Sequence, residues 1–216
     1  MARNKKTIDY LNQLQGKGYD KTHGLFDLYY KWKEKSDIEL LSKFLDLLWS
    51  EVDNIRPKLG IATYNTFRGI ALEEFIYESL NKFVEKTKFK LFWNDRILTE
   101  EFYIFEDGAF KKYPKYKAVD LTIGTREDNQ IHPFAIISCK MWYGADTLDS
   151  DRSVFDNIRN RYPSVFGYGV CMECNVKPVS LISAQRTGLN IYNFEKKNQF
   201  KDFIDDIKHN LQEIDK

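Results

Sequence analysis

The chain has 216 residues, which favours one large domain or two small ones, because single cores usually stop growing beyond roughly 250 residues. Hydrophobic residues make up 43% of the chain and charged residues 30%, a balance that excludes wholesale disorder. Thirty-three Lys and Arg against 32 Asp and Glu give a net charge of +1, so any affinity for nucleic acid must come from local patches. We expect a single domain over residues 1–216. The lack of a long apolar run or a secretory leader, with only three cysteines, predicts a cytoplasmic protein without a membrane partner.

The first 60 residues have helical spacing and form the predicted N-terminal helical part, 1–60. Apolar residues recur every three or four positions over 41–55. Ser36 and Glu39 precede them with the spacing of a capping box, and Pro57 is expected to end the helix. A second long helix is predicted to begin near Gly69.

Two adjacent glutamates on this second helix are expected to face different ways. Leu72, Ile76 and Leu80 form an apolar stripe at helical spacing. On a helical wheel Glu73 lies about 100° from Leu72 and borders the stripe, whereas Glu74 lies at about 200°. The wheel therefore predicts that Glu73 faces the core side and that Glu74 points to solvent.

From about residue 88 the pattern becomes that of a β-sheet. Apolar residues at 102–105 lead into Asp107-Gly108, a strong signal for a two-residue hairpin. A helix is expected over 149–162, and a terminal amphipathic helix within 196–216. Further strands are predicted at 118–123, 134–139, 165–172 and 179–183.

Asp120 and Lys140 are the first candidates for chemistry. The apolar residues of the strand 118–123 are odd-numbered, so the period of two sends Asp120 to the other face. Lys140 ends the most apolar strand of the chain, and an ammonium at the rim of a buried sheet needs an anionic partner or ligand. If the two strands are neighbours, the two side chains can meet on one face.

The pattern that contains these residues resembles the PD-(D/E)xK nuclease superfamily, which includes most type II restriction endonucleases. Its motifs are Arg68-Gly69-Ile70-Ala71-Leu72-Glu73, Val119-Asp120 and Ser138-Cys139-Lys140, within roughly residues 66–184. The resemblance implies an α/β, restriction endonuclease-like fold: a mixed β-sheet flanked by helices, here with an N-terminal helical region. It also implies that Asp120 binds the metal, that Lys140 is the catalytic lysine, that Glu73 is the glutamate from the leading helix, and that Mg²⁺ is the cofactor.

The sequence departs from the family pattern where the strand acid should stand. Ser138 occupies the position usually taken by Asp or Glu, and some restriction enzymes resemble this arrangement, with an acid supplied from a helix. The substitutes here are Glu73 and Asp151. Asp151 shares a helical face with the apolar residues of 154–158, so it is expected to point toward the sheet. Oxygen ligands suit Mg²⁺, and the backbone carbonyl of Cys139 is a further candidate ligand.

Two groups of basic residues are candidates for DNA contacts. A run without acidic residues precedes Asp120 and suits phosphate contacts, although lysines that protect an exposed hairpin strand explain it equally well. Arginines on the following helix are candidates for contacts with bases or phosphates, and a surface role for each also fits. The two groups are Lys111, Lys112, Lys115 and Lys117, and Arg152, Arg159 and Arg161.

The sequence therefore predicts a Mg²⁺-dependent endonuclease that hydrolyses double-stranded DNA, most plausibly a type II enzyme of a restriction and modification system. A palindromic recognition site would imply a homodimer. The alternatives are a DNA-repair or junction nuclease of the same superfamily, and a catalytically inactive DNA-binding module with this fold, which Ser138 favours. A structural ion pair between Asp120 and Lys140 is the plainest alternative for the site.

Overall fold

The structure, a computed structural model, describes residues 5–214. The predicted N-terminal part, 1–60, and the predicted C-terminal helix, 196–216, therefore reach outside the described residues at 1–4 and 215–216. Contacts divide the chain into two compact units, Met1–Asn81 and Lys82–Lys216. None of the helices in the described range is long and apolar enough to cross a membrane.

Eight helices and five strands follow one another in the described part of the chain. The helices are α1 (Thr7–Gly16), α2 (Thr22–Lys35), α3 (Ile38–Ser50), α4 (Val52–Leu59), α5 (Ile61–Val84), α6 (Ala145–Arg161), α7 (Pro178–Arg186) and α8 (Gln199–Ile214). The strands are β1 (Lys90–Glu106), β2 (Ala109–Glu127), β3 (Gln130–Tyr143), β4 (Phe166–Cys174) and β5 (Leu189–Asn193). The boundary between the two units falls near the end of α5.

The capping prediction for α3 is wrong by one residue. The N-cap is Asp37, whose carboxylate accepts a hydrogen bond from the backbone N–H of Glu39 at 2.9 Å. Ser36 instead ends α2 in the left-handed region, with φ of 52°, and a residue in that conformation has left the extended geometry of an N-cap. The prediction that Pro57 ends the helix is also wrong. Helix α3 ends earlier, with Glu51 as its C-cap, and Pro57 lies inside the next helix, α4.

The prediction that Glu74 points to solvent is also wrong. Glu74 is fully buried, with no exposed surface, whereas Glu73 is partly exposed. One carboxylate oxygen of Glu74 accepts the backbone N–H of Thr7 at 2.7 Å. The other accepts the hydroxyl of Tyr29 at 3.1 Å and the ammonium of Lys33 at 3.2 Å. Glu74 therefore joins α1, α2 and α5 at one buried point.

The helical wheel failed because α5 begins earlier than the sequence pattern suggested, at Ile61. The added turns contain Phe67, which is fully buried, stacks on Tyr10 at 5.0 Å between ring centroids and packs edge-on against Phe44. On the same wheel Phe67 lies about 20° from Glu74. The helix thus has a second buried side, and Glu74 belongs to it.

Loss of the Glu74 carboxylate should destabilise the N-terminal unit. Glu74→Ala leaves a buried N–H and a buried hydroxyl without their acceptor and removes one partner of Lys33, so we expect a loss of about 3 kcal/mol. Glu78→Ala is the matched control, because Glu78 binds the same lysine at 3.0 Å but remains partly exposed; its loss should stay below about 1 kcal/mol. Chemical denaturation followed by circular dichroism measures both, and equal losses would contradict the role given to Glu74.

The C-terminal unit is built on a mixed sheet of five strands in the order β1-β2-β3-β4-β5. β1, β2 and β3 pair antiparallel, whereas β3, β4 and β5 pair parallel. The predicted α/β class, with a mixed sheet flanked by helices, is confirmed. The strand predicted at 179–183 is wrong, because Pro178 begins helix α7 there and the last strand follows it. Proline suits the first helical position, and a short apolar run does not by itself distinguish a helix from a strand.

Helices cover both faces of this sheet. A Cβ added to Gly167 on β4 would meet the ring of Phe155 at 2.6 Å, so this face lies against α6. The next residue, Tyr168, contacts Phe203 and accepts a hydrogen bond from Asn210 at 2.8 Å, both on α8. Successive strand residues point to opposite faces. The sheet face that holds the even-numbered residues of β3 is consequently the one covered by α6.

The hairpin predicted at Asp107-Gly108 is confirmed and is long. Both turn residues have positive φ, 52° and 82°, as a two-residue hairpin turn with the right twist requires. Cross-strand pairing continues from Glu106 and Ala109 back into the sheet, with one irregularity between Leu98 and Glu100. We refer to residues 100–117 as the ribbon.

Candidate functional site

Asp120 and Lys140 meet on the face covered by α6. The ammonium of Lys140 lies 2.9 Å from Oδ2 of Asp120, so the expected meeting of the two side chains is confirmed. The same oxygen accepts the backbone N–H of Cys139 at 2.7 Å, and the hydroxyl of Ser138 lies 3.5 Å away. The end of β3 thus presents three donors to one carboxylate oxygen of β2.

A cavity of about 480 Å³ separates this end of the sheet from α6. Its polar lining includes Asp120, Ser138 and Lys140 from the sheet, and Asp146 and Asp151 from α6. The sequence prediction that Asp151 faces the sheet is therefore confirmed. Two strands and one helix bring together residues that lie more than 30 positions apart in the chain.

The hydroxyl of Tyr143 holds the Asp151 carboxylate in place. It donates a hydrogen bond to Oδ2 of Asp151 at 2.6 Å, and the tyrosine is fully buried. Burial and the negative charge of Asp151 hold the pKa of Tyr143 far above its usual range. The phenol therefore remains a donor over the whole physiological pH range, and one oxygen of Asp151 keeps a fixed partner.

The charge of Lys140 is secured by both carboxylates. Burial acts to lower the pKa of Lys140, but the charges of Asp120 and Asp151 and the hydrogen bond to Asp120 outweigh it, so the net pKa is raised. The ammonium therefore stays charged in a site with more acidic than basic groups. Such a site attracts a cation and retains one positive group for an anion.

The donor set fits a hydrated Mg²⁺ rather than a cage made of protein ligands alone. Over residues 5–214, no three His, Cys, Asp or Glu side chains cluster as a metal site. In the same range no hydrogen bond reaches Oδ1 of Asp120 or Oδ1 of Asp151, so each carboxylate retains an oxygen for a cation. Mg²⁺ commonly binds through one or two carboxylates and keeps several waters.

Glu73 lies on α5, in the N-terminal unit, whereas Asp120, Lys140 and Asp151 lie in the C-terminal unit. Burial and the charge of Glu73 raise the pKa of Tyr10 in the same unit. The role of Glu73 as a metal ligand stays a prediction.

Six of the seven basic residues predicted to contact DNA have partners within the C-terminal unit. Acidic residues of the same hairpin form ion pairs with three of the four lysines: Lys111 with Glu106 and Asp107, Lys112 with Glu101, and Lys115 with Glu100. On α6, Arg152 donates to Ser183, Arg159 to the carbonyl of Thr187, and Arg161 pairs with Glu101. Lys117 is half-buried on β2. Their roles in DNA binding stay predictions.

Sequence patterns did not reveal the part played by Tyr143 or Asp146. Tyr143 lies eight residues before its partner Asp151, and the chain passes from strand to helix between them, so no period links the pair. Asp146 stands in the first turn of α6 and is exposed. Only its place at the cavity distinguishes it from other surface acids.

No family model matches the chain, and no curated protein is similar to it at a significant level.

Removal of the Asp120 charge should lower the pKa of Lys140. Asp120→Asn deletes the main interaction that raises this pKa and leaves the opposing effect of burial, so the pKa must fall. The shift can be followed through the Cε resonance of Lys140 as pH is varied. Asp149→Asn changes an exposed residue of α6 that does not line the cavity, so it is the control and should leave the resonance unchanged. An unaltered Lys140 in Asp120→Asn would show that the two groups are not coupled in solution.

Proposed function

We propose that the protein is a Mg²⁺-dependent endonuclease that hydrolyses phosphodiester bonds of double-stranded DNA. The observation that supports this most directly is the cavity in which Asp120, Lys140 and Asp151 come together beneath α6. It offers carboxylate oxygens for a hard cation and an ammonium for a phosphate, the two kinds of group that phosphodiester hydrolysis needs. The restriction endonuclease-like fold is part of the same proposal, supported by the mixed sheet, the order of elements and the motif residues.

Each residue has a distinct task in the proposed reaction. Asp120 and Asp151 would hold the metal through their remaining oxygens, with the carbonyl of Cys139 as a third oxygen. Bound Mg²⁺ supplies Lewis-acid chemistry, which neutralises charge on the phosphate and makes a coordinated water more acidic. Lys140 stabilises the negative charge that grows on the scissile phosphate in the transition state.

In the proposed reaction, Lys140 would exchange its partner Asp120 for an oxygen of the phosphate. In the structure the ammonium shares Oδ2 of Asp120 with the N–H of Cys139. A cation held by Oδ1 of Asp120 would weaken the attraction between this carboxylate and Lys140, and the ammonium would then be available to a phosphate oxygen. The backbone N–H of Cys139 still fixes the position of the carboxylate.

The motif resemblance favours a type II restriction enzyme that belongs to a restriction and modification system. A homodimer of such an enzyme would match a palindromic recognition site. A repair or junction nuclease of the same superfamily is the rival within this class. Digestion of a sequenced plasmid with the purified chain and Mg²⁺, followed by mapping of the ends, separates the two. Ends at a fixed sequence support restriction, whereas cleavage that follows branches or damage supports repair.

An inactive DNA-binding module is the second candidate function, and one observation favours it. Ser138 replaces the strand acid, and the described residues do not contain a three-member acidic cluster. Nicking of supercoiled plasmid that depends on Mg²⁺ and is abolished by chelator would exclude this candidate. Duplex binding without any nicking would support it.

Asp120→Ala should abolish cleavage while the fold persists. Loss of a principal metal ligand removes several kcal/mol of transition-state stabilisation, so we expect the rate to fall by at least about 100-fold. Asp149→Ala, an acid on the exposed side of α6, should cut at the wild-type rate. Plasmid cleavage under single-turnover conditions measures both. A rate for Asp120→Ala within about tenfold of wild type would remove Asp120 from the metal site.

Lys140→Ala distinguishes a catalytic lysine from a structural one. If the ammonium acts on the transition state, the cleavage rate should fall by about 100-fold or more while DNA affinity measured in Ca²⁺ changes by less than about tenfold. A thermal melt is recorded alongside. A variant that cuts at the normal rate but melts at a much lower temperature would support the structural ion pair instead.

A further inference from the structure

The ribbon, residues 100–117, carries an exposed aromatic surface that the proposed reaction does not use. Cross-strand partners share a face, and the faces alternate along each strand. Tyr103, Phe105 and Phe110 therefore lie on one face of the ribbon, which we call the Phe105 face. Their exposed fractions are 62%, 63% and 72%. An exposed patch of large apolar side chains marks a contact surface, because it is costly to leave in water.

The opposite face of the ribbon is better protected by its own residues. There the ammonium of Lys115 lies 5.9 Å from the ring centroid of Phe102, and the hydroxyl of Tyr113 donates to Glu106 at 2.7 Å. Phe102, Ile104 and Tyr113 are each less than half exposed. The less protected side is thus the Phe105 face, where the rings of Phe105 and Phe110 pack edge-to-face at 5.2 Å between centroids.

The charge of the ribbon argues against a polyanion as the occupant of this face. The ribbon contains four lysines and four acidic residues, so its net charge is zero. Three of the lysines are already paired with ribbon acids. Affinity for a phosphate backbone comes from unbalanced positive charge. A neutral surface, by contrast, approaches a copy of itself without repulsion.

The area of the Phe105 face fits a pair of identical chains. The three exposed side chains amount to about 400 Å² of apolar surface, at about 200 Å² for a whole aromatic side chain. Interfaces are roughly 57% non-polar, so an apolar area of this size corresponds to a buried interface of about 700 Å² on each chain and about 1,400 Å² on both chains together. That total lies within the range of about 1,200–2,000 Å² found for stable complexes.

We propose that the Phe105 face is a self-association surface, on which the ribbon of a second copy of this chain packs face to face. A two-fold arrangement requires only that one patch complement itself, and a neutral, apolar, ring-rich face does so. Edge-to-face contacts between the aromatic rings of the two ribbons extend the contact that Phe105 and Phe110 already make. The inference does not depend on the proposed nuclease activity.

Sedimentation velocity of the intact chain over a wide range of concentration tests this surface. The wild type is expected to sediment as a dimer. Phe105→Thr with Phe110→Thr should raise the dimer dissociation constant by roughly 100-fold or more, because both residues lie at the centre of the contact. Threonine keeps the preference for a strand, and both side chains are exposed, so the fold should persist. Tyr103→Thr, a milder change on the same face, should weaken the dimer by less.

Phe102→Thr with Ile104→Thr is the matched control, since it removes similar side chains from the opposite face of the same strand. This variant should remain a dimer. A monomeric wild type at every concentration would overturn the proposal, as would a dimer that survives the Phe105 and Phe110 changes or is lost equally in the control. Anisotropy with a short duplex DNA is measured on the same samples: weaker DNA binding by the Phe105-face variant without a change in mass would assign the face to DNA instead. Cleavage assays report separately on the nuclease proposal.

Discussion

The antiparallel pairing of β2 with β3 is the constraint on which the candidate site depends. Leu121 lies opposite Ile137, and this register places Asp120 beside the end of β3. A slip of one residue would send Asp120 to the other face of the sheet, away from α6. Gly124 belongs to the irregularity that ends this stretch of the pairing, and a Cβ there would clash with the backbone carbonyl oxygen of His132. A residue without a side chain is needed at that point for the two strands to approach.

Once the register is set, the site follows from the chemistry of burial. A lysine at the rim of a covered sheet loses hydration and recovers the cost only through anionic neighbours. Asp120 and Asp151 supply them from different elements, and Tyr143 and Cys139 hold the two carboxylates by hydrogen bonds. The result is a cavity that contains fixed donors and an excess of negative charge. That combination suits a hydrated cation together with an anionic substrate.

The carboxylate of Glu74 also contacts a lysine, and its comparison with Asp120 shows what distinguishes a site from a structural link. Glu74 is fully buried and uses both oxygens on donors from α1 and α2. Asp120 lines a cavity and, within the described residues, keeps one oxygen without a donor. The first arrangement holds helices together, while the second leaves capacity for a ligand. The two carboxylates differ in their exposure to a cavity and in whether one oxygen lacks a donor. Residue type and neighbouring sequence do not distinguish them.

Local patterns in the sequence were sufficient for much of the fold and for part of the site. The strand positions of Asp120 and Lys140 predicted that these side chains can meet, the Asp107-Gly108 pair predicted the hairpin, and helical spacing predicted that Asp151 faces the sheet. These features succeed because side-chain direction repeats with a short period, so a few neighbouring residues determine it.

Patterns failed where distant elements decide the environment. Glu74 is buried because α1 and α2 pack on a second side of α5. The residues near Glu74 in the sequence do not predict that contact. Three of the ribbon lysines form ion pairs with acids on the facing strand or in the turn, and the run of residues 109–119 does not contain those acids. The sequence by itself determined the class of fold and the direction of Asp120, Lys140 and Asp151. Only the tertiary structure decided which charges are paired and which carboxylates retain an open oxygen, because burial and ion pairing depend on residues far apart in the chain.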